Sequence, residues 1–226
     1  MQYKAVVCGS FVRRLNRFTA LVLYQGSEEL VHVKNTGRLG ELLVPGACVY
    51  LNHSDAPGRK TKWDLIAVEH DGQIVNIDSQ APNRVFAEFL QSGQFRQDIL
   101  KIRPEFTHGD SRFDFRLECE SCIQFVEIKG VTLLRNGAAY FPDAPTERGV
   151  KHLHGLMCAV EEGAEATAVF VIQMKGVSAL RPNDDTHPAF GQALRAAADA
   201  GVRVAAYDCQ VTEHSLQIDR PIPVLL

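Results

Sequence analysis

Two alternating runs constrain the fold most: Arg112-Phe113-Asp114-Phe115-Arg116-Leu117 and, after a short gap, Phe125-Val126-Glu127-Ile128-Lys129-Gly130. Their alternation of polar and apolar residues has the period of half-buried strands. Glu127 and Lys129 therefore share one side of their strand. Paired as an antiparallel hairpin about a turn between Glu120 and Ser121, the runs set Cys119 opposite Cys122 and, counting back, Asp114 opposite Glu127. Residues directly opposite share a face. The reverse face then carries Phe113, Phe115, Leu117, Val126 and Ile128. The register that buries the apolar residues gathers two carboxylates and an amine. A four-residue loop over 119–122 keeps this register, whereas a loop of odd length would slip it by one and turn Asp114 away. Glu-Ser is also a weak two-residue turn, where Asn and Gly are preferred.

With 226 residues the chain has room for one large or two small domains. Its 46% apolar and 23% charged residues exclude a disordered or fibrous chain. No run approaches the ~18 apolar residues of a membrane span, so no membrane partner is expected. The first residues are too quickly charged for a secretory signal, and the expected location is cytoplasmic. Only Cys119 and Cys122 form a C-x-x-C. Zinc wants four ligands, so these read as ordinary reduced thiols.

Charge is uneven. Residues 1–70 hold nine Lys and Arg against six Asp and Glu, and the remainder fifteen against twenty-one. A basic front in a chain of net charge −3 points to phosphate contact in the first part.

Residues 1–80 read as all-β. Candidate strands are Tyr3–Cys8, Phe18–Tyr24, Glu29–Val33, Cys48–Leu51, Lys62–Val68 and Gln73–Ile77, punctuated by turns such as Asn35-Thr36-Gly37, Pro45-Gly46 and Ala56-Pro57-Gly58. That spacing predicts a small barrel or sandwich. Residues 81–226 change pattern. Helices are expected over Ala81–Gln91, Thr146–Glu161 and Pro188–Ala200, with Gly93, Gly163 and Gly201 just beyond their ends. Between and after them come an extended piece near Ile99–Pro104, the hairpin, Val131–Leu134, Ala168–Met174, Val202–Tyr207 and Val211–Ile218. The second part is thus α/β or α+β, with a mixed sheet.

Asp114, Glu127 and Lys129 are the candidate catalytic residues. Phosphodiester cleavage needs an activated water and relief of developing negative charge, and Mg²⁺ or Mn²⁺ supplies both. The metal would be held by Asp114, Glu127 and the backbone carbonyl of Ile128, since Mg²⁺ takes oxygen ligands and typically one or two carboxylates. Two facing carboxylates repel unless a cation lies between them. Lys129 would hold or deprotonate the water. The same trio would also serve as a cross-strand salt bridge. The arrangement resembles the PD-(D/E)xK nuclease family, in which an Asp precedes Glu-x-Lys on the next strand of an α-β-β-β-α-β core. The resemblance implies auxiliary residues on flanking helices, Glu88 on the first and Arg148 and Lys151 on the second. His152 and His154, two apart, do not share a helix face and make no metal pair.

A wider resemblance covers nearly the whole chain. Its runs include Asn16-Arg17-Phe18, His32 to Leu39, Glu41-Leu42-Leu43-Val44-Pro45-Gly46, Arg59-Lys60-Thr61-Lys62, Pro82-Asn83-Arg84, Ser111-Arg112-Phe113-Asp114, Val126 to Leu133, and Phe141 through Leu153. With these the chain resembles the bacterial sugar fermentation stimulation protein family. It departs at Trp63, where Tyr is more usual, and at Asp78-Ser79, where Asn-Thr is common. The resemblance implies an N-terminal OB-like β-barrel joined to a PD-(D/E)xK restriction-endonuclease-like domain, DNA binding, and a role in regulating sugar (maltose) metabolism. It does not decide between cutting and binding.

OB-like barrels bind nucleic acid through basic grooves with stacking aromatics. Arg13, Arg14 and Arg17 with Phe11 and Phe18 form one candidate cluster, and Lys34, Arg38, Arg59, Lys60 and Lys62 form others. The expected function is a nuclease-like DNA-binding protein, acting on single- or double-stranded DNA without strong sequence preference. The alternatives are a non-catalytic DNA-binding regulator that keeps the nuclease fold and, more remotely, a sugar-binding module. The residues leave the oligomeric state open, a homodimer included.

Overall fold

The computed structural model describes residues 1–54 and 58–226; the Ala56-Pro57 part of one expected turn lies outside the described residues. The first part is β1 (Val6–Arg14), β2 (Thr19–Tyr24), β3 (Ser27–Val33), β4 (Cys48–His53), β5 (Trp63–His70) and β6 (Gln73–Asn76). Strand order is β3-β2-β1-β4-β5-β6, and a parallel pairing of β3 with β5, His32 opposite Asp64, closes the sheet into an OB-like barrel. Val22, Val31, Leu51 and Leu65 fill its interior. The first strand starts later and runs further than Tyr3–Cys8 predicts. A bulge between Phe11 and Arg13 breaks its alternation and hides its second half from a period-two reading.

Next come α1 (Ala81–Gln91), β7 (Ile99–His108), β8 (Ser111–Cys119), β9 (Ile123–Val131), β10 (Leu133–Arg135), β11 (Ala138–Phe141), α2 (Glu147–Glu161), β12 (Glu165–Ile172), β13 (Leu180–Pro182), α3 (Pro188–Asp199), β14 (Arg203–Val211) and β15 (Leu216–Ile222). The six-stranded sheet has the order β15-β14-β12-β9-β8-β7, parallel at its centre and antiparallel at both sides. Helix α1 covers one face through Val85, Phe86 and Phe89, while α2 and α3 cover the other through Leu153, Leu156, Phe190 and Leu194. The helices begin within a residue of expectation, and Thr146 caps α2 by accepting the Gly149 N–H. The final strands differ from expectation. A turn at Thr212 and Ser215 separates β14 from β15 where Val211–Ile218 reads as one strand, because no Gly or Pro marks it.

The hairpin register is as counted: Phe115 faces Val126, and the Cys119 N–H donates to the Cys122 carbonyl. The paired ladder stops at Phe115. Beyond it the Ile128 N–H donates to the Asp114 carboxylate, which replaces a backbone carbonyl. Phe113 consequently leaves the face of Phe115 and Leu117 and packs against Phe125 beside α2. Gly155 allows this approach, since a Cβ there would lie 2.9 Å from Ser111 Cβ and 3.2 Å from the Phe113 ring.

The barrel and the second part are joined through Gln173, just past β12. Its buried amide donates to Asn76 Oδ1 and to the Asp78 carbonyl, and its own carbonyl accepts the Asn76 N–H at 2.9 Å. Among the described residues no helix is long and apolar enough to cross a membrane.

Candidate active site

Asp114, Glu127 and Lys129 open onto one cleft of about 490 Å³, together with Asn83, Arg84, Ile128, Arg148 and His152. Four elements build it, α1 contributing Asn83 and Arg84. Strand β9 carries Glu127 and Lys129 on one side, and the Lys129 ammonium donates to Glu127 Oε1 at 2.7 Å. The end of the β8 ladder supplies Asp114, whose oxygens accept the Ile128 N–H at 2.7 Å and the Asn83 amide at 2.6 Å. Helix α2 lowers His152 onto Glu127, its Nδ1 bonded to Oε1, while Arg148 Nε donates to His152 Nε2 at 3.2 Å.

The two carboxylates are driven apart. Burial first, and then the charge of Glu127, pushes Asp114 above its ordinary pKa despite the Ile128 and Asn83 hydrogen bonds. Burial presses upward on Glu127 as well, but the hydrogen bond from His152 and the charge of Lys129 outweigh it and hold Glu127 below its usual value. Glu127 is 3% exposed, and its Oε2 is buried without a hydrogen-bond partner. A buried anionic oxygen left unpaired is costly and calls for a cation.

This donor set fits Mg²⁺ or Mn²⁺. No three His, Cys, Asp or Glu side chains converge as a ready cluster among the described residues. The protein would therefore offer two carboxylates and the Ile128 carbonyl, with water and substrate oxygens completing the shell, a pattern that suits Mg²⁺.

Several expected residues stand elsewhere. Glu88 lies a turn beyond Arg84, about 6 Å along the axis by helix rise, and pairs with the Met1 ammonium at 2.6 Å. Asn83 and Arg84 occupy the place assigned to it. Lys151 is exposed on α2 outside the cleft, whereas Arg148 lines it. His154 is exposed, away from buried His152.

The basic clusters divide in two. Arg14 is structural: its guanidinium donates to the carbonyls of Asn16, Arg17, Asn35, Gly37 and Arg38, using all five N–H groups. Lys34 pairs at 2.8 Å with Asp78, which is fully buried, and Arg59 pairs with Asp64. Phe11 is core. Trp63 is partly buried, edge-on to Tyr24 and His53. Arg13, Arg17, Arg38, Lys60 and Lys62 remain exposed and free to meet phosphate. Arg14→Lys keeps the charge but cannot reproduce the fork, and it is expected to destabilise the fold by about 2–3 kcal/mol. Thermal unfolding checks this, since a phosphate contact at Arg14 would tolerate Lys with no change in midpoint.

A family model described as the sugar fermentation stimulation protein RE domain matches residues 80–215, and one for the SfsA N-terminal OB domain matches residues 12–77. The chain belongs to the sugar fermentation stimulation protein family. A homologue from Desulfitobacterium hafniense is 52% identical over 217 residues, 96% of this chain and 95% of that protein. One from Clostridium beijerinckii is 46% identical over the full length of both. Among solved structures, Pyrococcus furiosus SfsA in complex with Ca²⁺ matches with a TM-score of 0.91 and 28% identity, covering 100% of this chain and 98% of that one.

Proposed function

We propose that this member of the sugar fermentation stimulation family is a divalent-metal-dependent nuclease that acts on DNA, with the barrel holding the strand. The observation that carries the reading is Glu127 Oε2, buried and unpaired beside a second carboxylate in an open cleft. The Ca²⁺ complex of the Pyrococcus furiosus relative supports a site for a hard dication in this fold. When bound, the dication polarises the phosphate and lowers the pKa of a bound water. The chain's own residues do the rest. Asn83 fixes the orientation of Asp114, and His152 fixes that of Glu127 and keeps it ionised. Lys129, 2.7 Å from Glu127 Oε1, stands where it can hold the attacking water and offset charge on the scissile phosphate. Arg84 and Arg148, in the first turns of two helices, flank the cleft as phosphate contacts.

Incubating labelled DNA with the protein in Mn²⁺, in Mg²⁺ and in EDTA tests the proposal. Cleavage with either metal, absent in EDTA and in Glu127→Gln, is the expected result. DNA that is bound but stays intact under every condition would contradict it and leave a DNA-binding regulator.

A further inference from the structure

The turn between β1 and β2 exposes two large apolar side chains, Leu15 at 42% and Phe18 at 50%. This turn is heavily fastened. Asn16 Oδ1 accepts the N–H groups of Phe18 at 2.8 Å and Thr19 at 3.1 Å, and the Phe18 carbonyl accepts the Val33 N–H at 2.8 Å. Arg14 binds the turn's carbonyls together with those of Asn35, Gly37 and Arg38 from the segment after β3. The exposed ring is therefore presented on a rigid mount. The Arg17 guanidinium lies over it, 5.7 Å from the centroid. Arg13, next to Arg14 on β1, and Arg38, whose carbonyl Arg14 binds, are exposed as well, while one carboxylate, Asp143, lies beside Gly37. Asn35, whose carbonyl Arg14 binds, lines a small pocket together with Ser79, and Ser79 also lines the cleft of Asp114 and Glu127.

We propose that Phe18, backed by Arg17, is a stacking platform for an unpaired base, so that the strand reaching the cleft is single-stranded nucleic acid. The inference rests on the nuclease reading for the identity of the strand. An exposed aromatic ring with a guanidinium over it, and further exposed arginines on the segments tied to its turn, fits a partner that is both polyanionic and rich in flat π-faces. Inside a duplex those faces are covered by neighbouring bases, so a platform of this kind selects unpaired nucleotides.

Fluorescence anisotropy in EDTA tests the platform apart from cleavage. The probes are a labelled oligothymidylate, an abasic oligomer of equal length and charge, and a blunt duplex. Phe18→Ala is expected to weaken oligothymidylate binding by about 5- to 150-fold, the range for one lost base stack, and to leave the other two probes within about twofold. Phe18→Tyr is expected to bind as the native protein does. Equal affinity of native and Phe18→Ala protein for oligothymidylate would overturn the proposal. So would an equal loss on all three probes, which marks the ring as mere support for the arginines. Either failure leaves the metal-dependent cleavage of the proposed function standing, and absent cleavage with intact stacking leaves the platform standing.

Discussion

Lys129→Ala is expected to lower the metal-dependent cleavage rate by about 10²–10⁴-fold, the usual contribution of a positioned acid–base group. The Lys129 side chain is 14% exposed and its ammonium donates to Glu127 Oε1 at 2.7 Å, so it lines the cleft and not a solvated face. If, as proposed, the exposed arginines and lysines of the barrel hold the strand, the log–log salt slope of binding in EDTA is expected to fall by no more than about one unit. Single-turnover kinetics separate the two effects. A variant that cleaves at the native rate would remove Lys129 from the chemistry and return it to the role of a cross-strand salt-bridge partner.

The second prediction concerns Asp114 in EDTA. Burial and the charge of Glu127 raise its folded-state pKa, so ionised Asp114 weighs against the fold. The stability linked to this group is fully present below its unfolded value of about 3.9 and is lost as pH rises through the raised folded value. In EDTA at neutral pH, Asp114→Asn is therefore expected to unfold at or above the native temperature, with the difference vanishing at acid pH. Asn83 can turn its amide to meet the new side chain. A divalent cation reverses the order. At about 100 times its dissociation constant it stabilises the native protein by about 2.7 kcal/mol, or roughly 5–10 °C at this size, and moves Asp114→Asn little. Thermal unfolding across pH, with and without Mn²⁺, reads both signs. An equal shift in native and variant protein would place the cation elsewhere.

The hairpin was legible because both its faces speak in the sequence. Only one register buries Leu117 and Val126 while pairing Cys119 with Cys122, and that register brings Asp114 to Glu127. What alternation cannot reveal is where a ladder ends, and so Phe113 lies on the face opposite to the one its alternation predicts. Local sequence likewise shows a charge but not its distant partner. Lys34 reads as a phosphate contact until Asp78 appears beneath it, 44 residues on, and Arg14 until five carbonyls from two loops converge on it. Asp78 thus supplies the carboxylate that Lys34 needs. Asn83 and His152 lie in the runs Pro82-Asn83-Arg84 and Phe141–Leu153, where nothing local marks either as a carboxylate's partner. Their functions come from the angle at which α1 and α2 cross the sheet. One signal was available: His152 follows Arg148 by four, the spacing of a shared helix face.

Anomalous diffraction from crystals soaked in Mn²⁺ shows whether the two carboxylates hold a cation. A peak between the Asp114 carboxylate and Glu127 Oε2, lost in Glu127→Gln, is the expected result. Saturating Mn²⁺ with no density between those two side chains would contradict it.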